Sequence, residues 1–162
     1  MRMRRSFSEW ESNMAEYKTV TAQETEEIGV MLGKNAHAGL VYALDGDLGA
    51  GKTVLTRGIA RGMGLNEDDV CSPTFTIVNE YDETKDGQQA SVPLFHFDTY
   101  RLGNSDDFLD AGLDEYFDRG GVCVIEWSSV IADLLPKDTV RIRITGVGDT
   151  RRIEVEDEDS VQ

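Results

Sequence analysis

Basic side chains are scarce. The chain carries 16 Lys and Arg against 31 Asp and Glu, a formal charge of −15. Phosphate backbones are held by clustered Lys and Arg, so this balance argues against an autonomous nucleic-acid binder. It suits a soluble protein whose partner carries a basic patch. Cysteine is scarce too: Cys71 and Cys123 stand alone, with no Cys or His at metal-ligand spacing around either. Two unpaired thiols fit a reducing, cytoplasmic setting. No apolar run approaches the roughly 18 residues that a membrane-spanning helix needs. Met1 to Trp10 has three arginines but no apolar core behind them, which excludes a secretory signal. Glu9 and Glu11 come too early for a transit peptide. Internal repeats and low-complexity linkers are also lacking.

What is present centres on Leu40 to Thr53. Leu40-Val41-Tyr42-Ala43-Leu44 reads as a strand covered on both faces. Gly46-Asp47-Leu48-Gly49-Ala50-Gly51-Lys52-Thr53 then fits G-x-x-x-x-G-K-[ST], the phosphate-binding P-loop. Glycines let the backbone fold back so that successive N–H groups face phosphate oxygens. The following helix adds unsatisfied N–H groups and the positive end of its dipole. Lys52 can reach the β- and γ-phosphates of ATP as a mobile point charge, and the Thr53 hydroxyl can ligate Mg²⁺. The candidate nucleotide-binding residues are therefore Asp47, Leu48, Gly49, Ala50, Gly51, Lys52, Thr53 and the adjoining Val54. Leu55, Gly58, Ile59 and Met63 continue from Val54 at helical spacing, and Gly64 suits a helix end.

The length of 162 residues predicts one domain. Residues 1–16 read as a flexible N-terminal extension, 17–156 as the domain, and 157–162 as an acidic tail. Tyr17–Val20 predicts a short strand. Thr21 with Glu24 forms a capping box for a helix running to about Asn35, with Ile28, Met31 and Leu32 on its apolar face. Phe75 to Tyr81 and Leu94 to Asp98 alternate as strands around a polar loop. Asp106 to Phe117 predicts short helices broken at Gly112. Val122 to Ile125 is a third buried strand in which Cys123 is a small core residue. Ile131 to Leu135 is a helical turn closed by Pro136. Thr139–Thr145 and Arg152–Val155 form a terminal antiparallel pair. Strands alternating with helices predict an α/β fold, a P-loop NTPase-like mixed sheet flanked by helices.

P-loop chemistry also needs an acid near Mg²⁺ at a strand end. Glu126 follows Val-Cys-Val-Ile, and Asp98 ends Leu-Phe-His-Phe. One of the two holds the metal, directly or through water, while the other orients the attacking water. The candidate catalytic residues are Lys52, Asp98 and Glu126, and the metal side is Thr53 with Glu126. His96 shares a strand face with Asp98 and could orient it or serve a partner; a satisfied half-buried histidine is the plainer reading. Arg101 could neutralise phosphate charge or pair with a local acid. Ser72 and Thr74 sit in a proline-stiffened turn that could sense the γ-phosphate or be a turn only.

These stretches, with Ser72-Pro73-Thr74-Phe75-Thr76, His96-Phe97-Asp98-Thr99-Tyr100-Arg101-Leu102, Gly112-Leu113-Asp114-Glu115-Tyr116-Phe117, Ile125-Glu126-Trp127 and Leu135-Pro136, closely resemble the TsaE family in order and spacing from about Thr19 to Pro136. Members are bacterial ATPases needed for threonylcarbamoyladenosine synthesis on tRNA. The resemblance implies a small P-loop fold and an ATPase that is slow alone. It implies Thr53 and Glu126 on the Mg²⁺ side, Asp98 as an acid needed for hydrolysis, and Trp127 beside the nucleotide. It also implies two partner proteins, TsaD and TsaB, with TsaD transferring the threonylcarbamoyl group and tRNA met only through the complex. One departure bears on nucleotide affinity: Val54 stands where the family usually has a second Thr.

The alternative reading is a P-loop phosphotransferase acting on a small molecule or a protein. The scarcity of arginines between Lys52 and Arg119 counts against the lid that a kinase needs. A third reading is a nucleotide-dependent switch with negligible hydrolysis. From the charge balance, the isolated chain should bind tRNA only weakly at physiological salt. A filter-binding titration from 50 to 200 mM salt checks this, and tight, salt-sensitive binding would contradict it.

Overall fold

The computed structural model describes residues 2–5, 13–47, 49–73 and 76–157. Leu48, Thr74, Phe75 and residues 158–162 lie outside them, as do residues 1 and 6–12 of the expected N-terminal extension. The elements run β1 (Arg2–Arg5), β2 (Asn13–Thr19), α1 (Ala22–Lys34), β3 (Val41–Asp45), α2 (Lys52–Gly62), β4 (Val78–Glu83), β5 (Gln89–Asp98), α3 (Ser105–Asp110), β6 (Val122–Glu126), β7 (Val140–Val147) and β8 (Thr150–Asp157). Short 3₁₀ turns fill Glu67–Asp69, Leu113–Asp118 and Ser128–Leu134. One eight-stranded sheet holds every described strand, in the order β1-β2-β8-β7-β3-β6-β5-β4.

The sheet is mixed, as the alternation of strands and helices predicts. Its centre is parallel, with β3 between β7 and β6, and β6 paired with β5. Its flanks are antiparallel: the hairpins β4–β5 and β7–β8, with β8 also paired to β2 and β2 to β1. The centre explains the apolar runs. Val41, Tyr42, Ala43 and Leu44 of β3 and Val122 to Ile125 of β6 are all buried, because helices or turns cover both faces. On one face, Tyr42, Leu44, Leu94, Val122 and Val124 meet Ile28, Leu32, Leu55 and Ile59 of α1 and α2. On the other, Val41, Phe95, Phe97, Cys123 and Ile125 meet Phe108, Leu113 and Ile131. Burial pushes the Cys123 thiol up to about 12, consistent with a small core residue.

Parallel register decides where the strand-end acids fall. Glu126 is the cross-strand partner of Leu44 on one side and of Asp98 on the other. The two acids therefore sit side by side, Glu126 one strand and Asp98 two strands from β3, which leads into the glycine-rich loop.

α1 begins as its sequence signals. Thr21 Oγ1 accepts from the Glu24 N–H at 3.1 Å. Glu24 Oε1 accepts in return from the N–H of Val20, one residue ahead of the cap, at 2.8 Å. Glycines set how closely α1 meets α2. A Cβ on Gly29 would lie 2.2 Å from the Leu55 carbonyl oxygen, and one on Gly58 would lie 2.0 Å from that of Glu26. Gly33 and Gly62 repeat the contact one turn on, at 2.1 Å from Ile59 and 2.2 Å from Val30. The two helices thus cross backbone against backbone, which fixes α2 and the loop before it on the sheet.

Several boundaries differ from expectation, β5 beginning at Gln89 ahead of Leu94 and β7 running to Val147 among them. β2 begins at Asn13 instead of Tyr17, and β8 runs to Asp157 instead of Val155, because the two strands pair from Asn13↔Asp157 to Thr19↔Arg151. Backbone hydrogen bonds to a partner distant in sequence leave no local signature. β4 begins at Val78, since Thr76 and Ile77 belong to a turn closed by Ile77 N–H to Pro73 O at 2.9 Å. Ile77 has φ +69°, outside the strand region and rare for a β-branched residue. No helix among the described residues is long and apolar enough to cross a membrane.

Gly58→Ala should cost about 1–3 kcal/mol or more, because its methyl group would meet backbone rather than a movable side chain. Exposed Lys34→Ala should change stability by about 0.5 kcal/mol or less. Urea midpoints for the two variants test the glycine crossing.

Candidate functional site

Gly49 and Gly51 have φ of +79° and +106°. Side chains avoid that region, so glycine is what lets the loop reverse into α2. Gly46 is needed for closeness: a Cβ there would lie 2.5 Å from the Ile144 carbonyl oxygen of β7. Gly51 caps α2 without any side-chain hydrogen bond, so the first N–H groups of the helix remain available to an anion.

Lys52 is the first residue of α2 and only 6% exposed. Its ammonium donates to Gly46 O at 2.7 Å, lies 3.7 Å from Glu126 Oε1, and stands 4.5 Å from the centre of the Trp127 ring. Buried charge is tolerated when it is paired and hydrogen-bonded, and all three contacts serve that end. Glu126 is 4% exposed, and its second oxygen, Oε2, sits 2.5 Å from His96 Nε2. Asp98 is half-buried beside it, with Oδ1 accepting from the Tyr100 N–H at 3.0 Å. His96 therefore bonds to Glu126 and not to Asp98, and it is wholly buried instead of half-buried.

Trp127 follows β6 with φ +60°, a left-handed conformation that a bulky residue adopts only when its surroundings hold it. Thr99 holds it on one side, donating from Oγ1 to the carbonyls of Glu126 and Trp127 at 3.0 and 2.7 Å. Asp45 holds the next residue on the other side. Its two oxygens accept from the Ser128 N–H at 2.9 Å and the Ser128 hydroxyl at 2.7 Å. The exposed ring of Tyr100 then packs on the indole, with ring centres 4.8 Å apart.

Lys52, Glu126 and Trp127 thus converge where β3 and β6 end, with Asp98 level with Glu126 at the end of β5 and Thr53 next to Lys52 in the first turn of α2. Ala50 is buried and donates its N–H to the carbonyl of exposed Asp47 at 3.0 Å. Val54 is half-buried and faces a cleft of ≈ 390 Å³, which Thr21, Thr25, Gly49, Gly51 and Arg151 also line. Ser72 and Arg101 are exposed and partnered. Leu48 and Thr74 lie outside the described residues.

Two residues escaped the sequence reading. Asp45 ends a buried strand just as Glu126 does, so a strand-end carboxylate was the available signal. Arg151 had none: the β7–β8 hairpin carries it back until Nη2 reaches Gly49 O at 3.3 Å.

A glycine-rich loop running from the central parallel strand into a helix, beside two strand-end acids, defines a P-loop NTPase-like α/β protein. Comparison narrows the class. The family model described as threonylcarbamoyl adenosine biosynthesis protein TsaE matches residues 19–153. The tRNA threonylcarbamoyladenosine biosynthesis protein TsaE of Bacillus subtilis is 43% identical over 136 residues, 84% of this chain and 80% of that protein. Its namesake from Treponema pallidum is 39% identical over 132 residues, 82% of this chain and 92% of its own. The crystal structure of Bacillus subtilis YdiB superposes with a TM-score of 0.71 at 36% identity, covering 91% of this chain and 87% of that one. The chain belongs to the TsaE family, whose members take part in tRNA threonylcarbamoyladenosine biosynthesis.

Asp45→Ala should destabilise the fold by about 1–3 kcal/mol, because buried Ser128 loses the acceptor for its N–H and its hydroxyl together. Equilibrium unfolding in urea measures it.

Proposed function

We propose that the chain is a cytoplasmic, Mg²⁺-dependent ATPase subunit of the machinery that builds threonylcarbamoyladenosine on tRNA. In this reading it hydrolyses ATP to ADP and phosphate to keep a TsaD/TsaB transferase turning over, and meets tRNA only through that complex. The observation that carries the reading is Lys52, the first residue of α2, beside Glu126, with Asp98 level with Glu126 at the adjacent strand end.

The polyphosphate of ATP would lie against the N–H groups between Gly49 and Thr53. Lys52 would exchange the Gly46 carbonyl for the β- and γ-phosphates. The ≈ 390 Å³ cleft beside Val54 would take the nucleoside. Val54 offers that cleft a methyl surface where a threonine would offer a hydroxyl.

The donor set fits Mg²⁺. Hydroxyl and carboxylate oxygens suit a hard cation, and the described residues contain no cluster of three or more acidic, His or Cys ligands that would cage a metal without substrate. Sparse protein ligands completed by phosphate and water are the usual Mg²⁺ arrangement. Thr53 and Glu126 would hold the ion, which neutralises charge on the phosphates when bound. Asp98, less buried than Glu126, would orient the attacking water and accept its proton as the new P–O bond forms and the bond to the ADP oxygen breaks.

Lys52→Ala should nearly abolish phosphate release, since no other loop residue brings mobile positive charge to the phosphates. Asp98→Asn should leave MgATP binding largely intact and slow hydrolysis by roughly 10²- to 10⁴-fold. Glu126→Gln should weaken Mg²⁺-dependent binding first. Calorimetric titrations paired with phosphate release, with and without TsaD and TsaB, test the set. Transfer to an added acceptor would favour the phosphotransferase reading, and binding without turnover a switch.

A further inference from the structure

His96 is wholly buried on β5, between Tyr81 of β4, whose ring centre is 6.4 Å away, and Glu126 of β6. It is a polar residue in an apolar column. Leu94 precedes it on the same sheet face, and Val124 is its cross-strand partner. Packing alone would be served by leucine or phenylalanine. Its Nε2 is 2.5 Å from Glu126 Oε2, whereas its Nδ1 is buried with no hydrogen-bond partner among the described residues.

The orphaned nitrogen fixes where the ring proton sits. A proton on Nδ1 would be a buried N–H with no acceptor, and would leave the bare lone pair of Nε2 against a carboxylate oxygen. A proton on Nε2 instead makes a charge-assisted bond to Glu126. The donor of this imidazole therefore serves Glu126, whose other oxygen lies 3.7 Å from Lys52 Nζ.

We infer that His96 is a positioning residue for Glu126. Its Nε2–H holds Oε2 and so turns Oε1 toward Lys52 and the phosphate side of the loop. The inference rests on the reading above that Glu126 belongs to the Mg²⁺ side of the site. A histidine that fixes a metal-binding carboxylate typically matters about 10- to 100-fold to metal-dependent affinity.

The test compares binding of a non-hydrolysable ATP analogue in excess Mg²⁺ and in EDTA. His96→Leu and His96→Asn, which lack a donor at the Nε2 position, should lose about 10- to 100-fold of the Mg²⁺-dependent gain while EDTA binding stays unchanged. His96→Gln, whose amide nitrogen can reach the Nε2 position, should recover most of the gain. Adding His96→Leu to Glu126→Gln should cause no further loss. A general packing defect would instead weaken binding in both buffers and would not be rescued by glutamine; either result overturns the inference. So does a full Mg²⁺-dependent gain in a folded His96→Leu protein. If wild-type protein shows no Mg²⁺-dependent gain, the proposed function itself fails, which separates the two ideas. A readout on the unaltered chain needs no variant: with 2 histidines in the sequence, ring ¹⁵N spectra should show His96 protonated at Nε2 and bare at Nδ1. The opposite tautomer overturns the assignment.

Discussion

Lys52 and Glu126 are each almost fully buried, and neither charge is tolerable there without the other. Removing one partner from such a pair leaves an unpaired interior charge, a penalty of about 3–5 kcal/mol in other proteins. The pair ties two distant parts of the chain together: the first residue of α2 and the last residue of β6. Around it lie a carbonyl, an indole and an imidazole, each meeting one side of one charge.

Two packing constraints hold the pair in register. The parallel pairing of β3 with β6 and of β6 with β5 brings Leu44, Glu126 and Asp98 level. The glycine crossing of α1 and α2 fixes the helix from which Lys52 projects. A side chain at Gly29, Gly33, Gly58 or Gly62 would push the helices apart and shift the start of α2. Both constraints act through backbone, which moves less readily than side chains.

The turn after β6 is shaped for the site as much as for the fold. Trp127 is held in a conformation unfavourable for a bulky residue by Thr99, while Asp45 fixes Ser128 next to it. Its ring covers the ammonium of Lys52 and is in turn covered by the exposed ring of Tyr100. The charged centre therefore has an aromatic wall that continues to the protein surface.

Sequence alone determined the local features. Hydrophobic runs bounded by glycine and acids marked β3 and β6, the Thr21–Glu24 capping box marked the start of α1, and the loop pattern marked Gly46 to Thr53. These are read from neighbours within a few residues, through backbone preference and periodicity. It also picked out Asp98 and Glu126 as candidates, because each acid directly follows or ends an apolar run in the chain; Trp127 was implied by the family resemblance alone. Only tertiary structure decided that β2 reaches back to Asn13, that Asp45 locks Ser128, that Arg151 reaches Gly49, and that His96 serves Glu126 rather than its neighbour Asp98. Each of these joins residues from about 30 to more than 130 positions apart, and such partners are chosen by strand register and close packing, which no local pattern encodes.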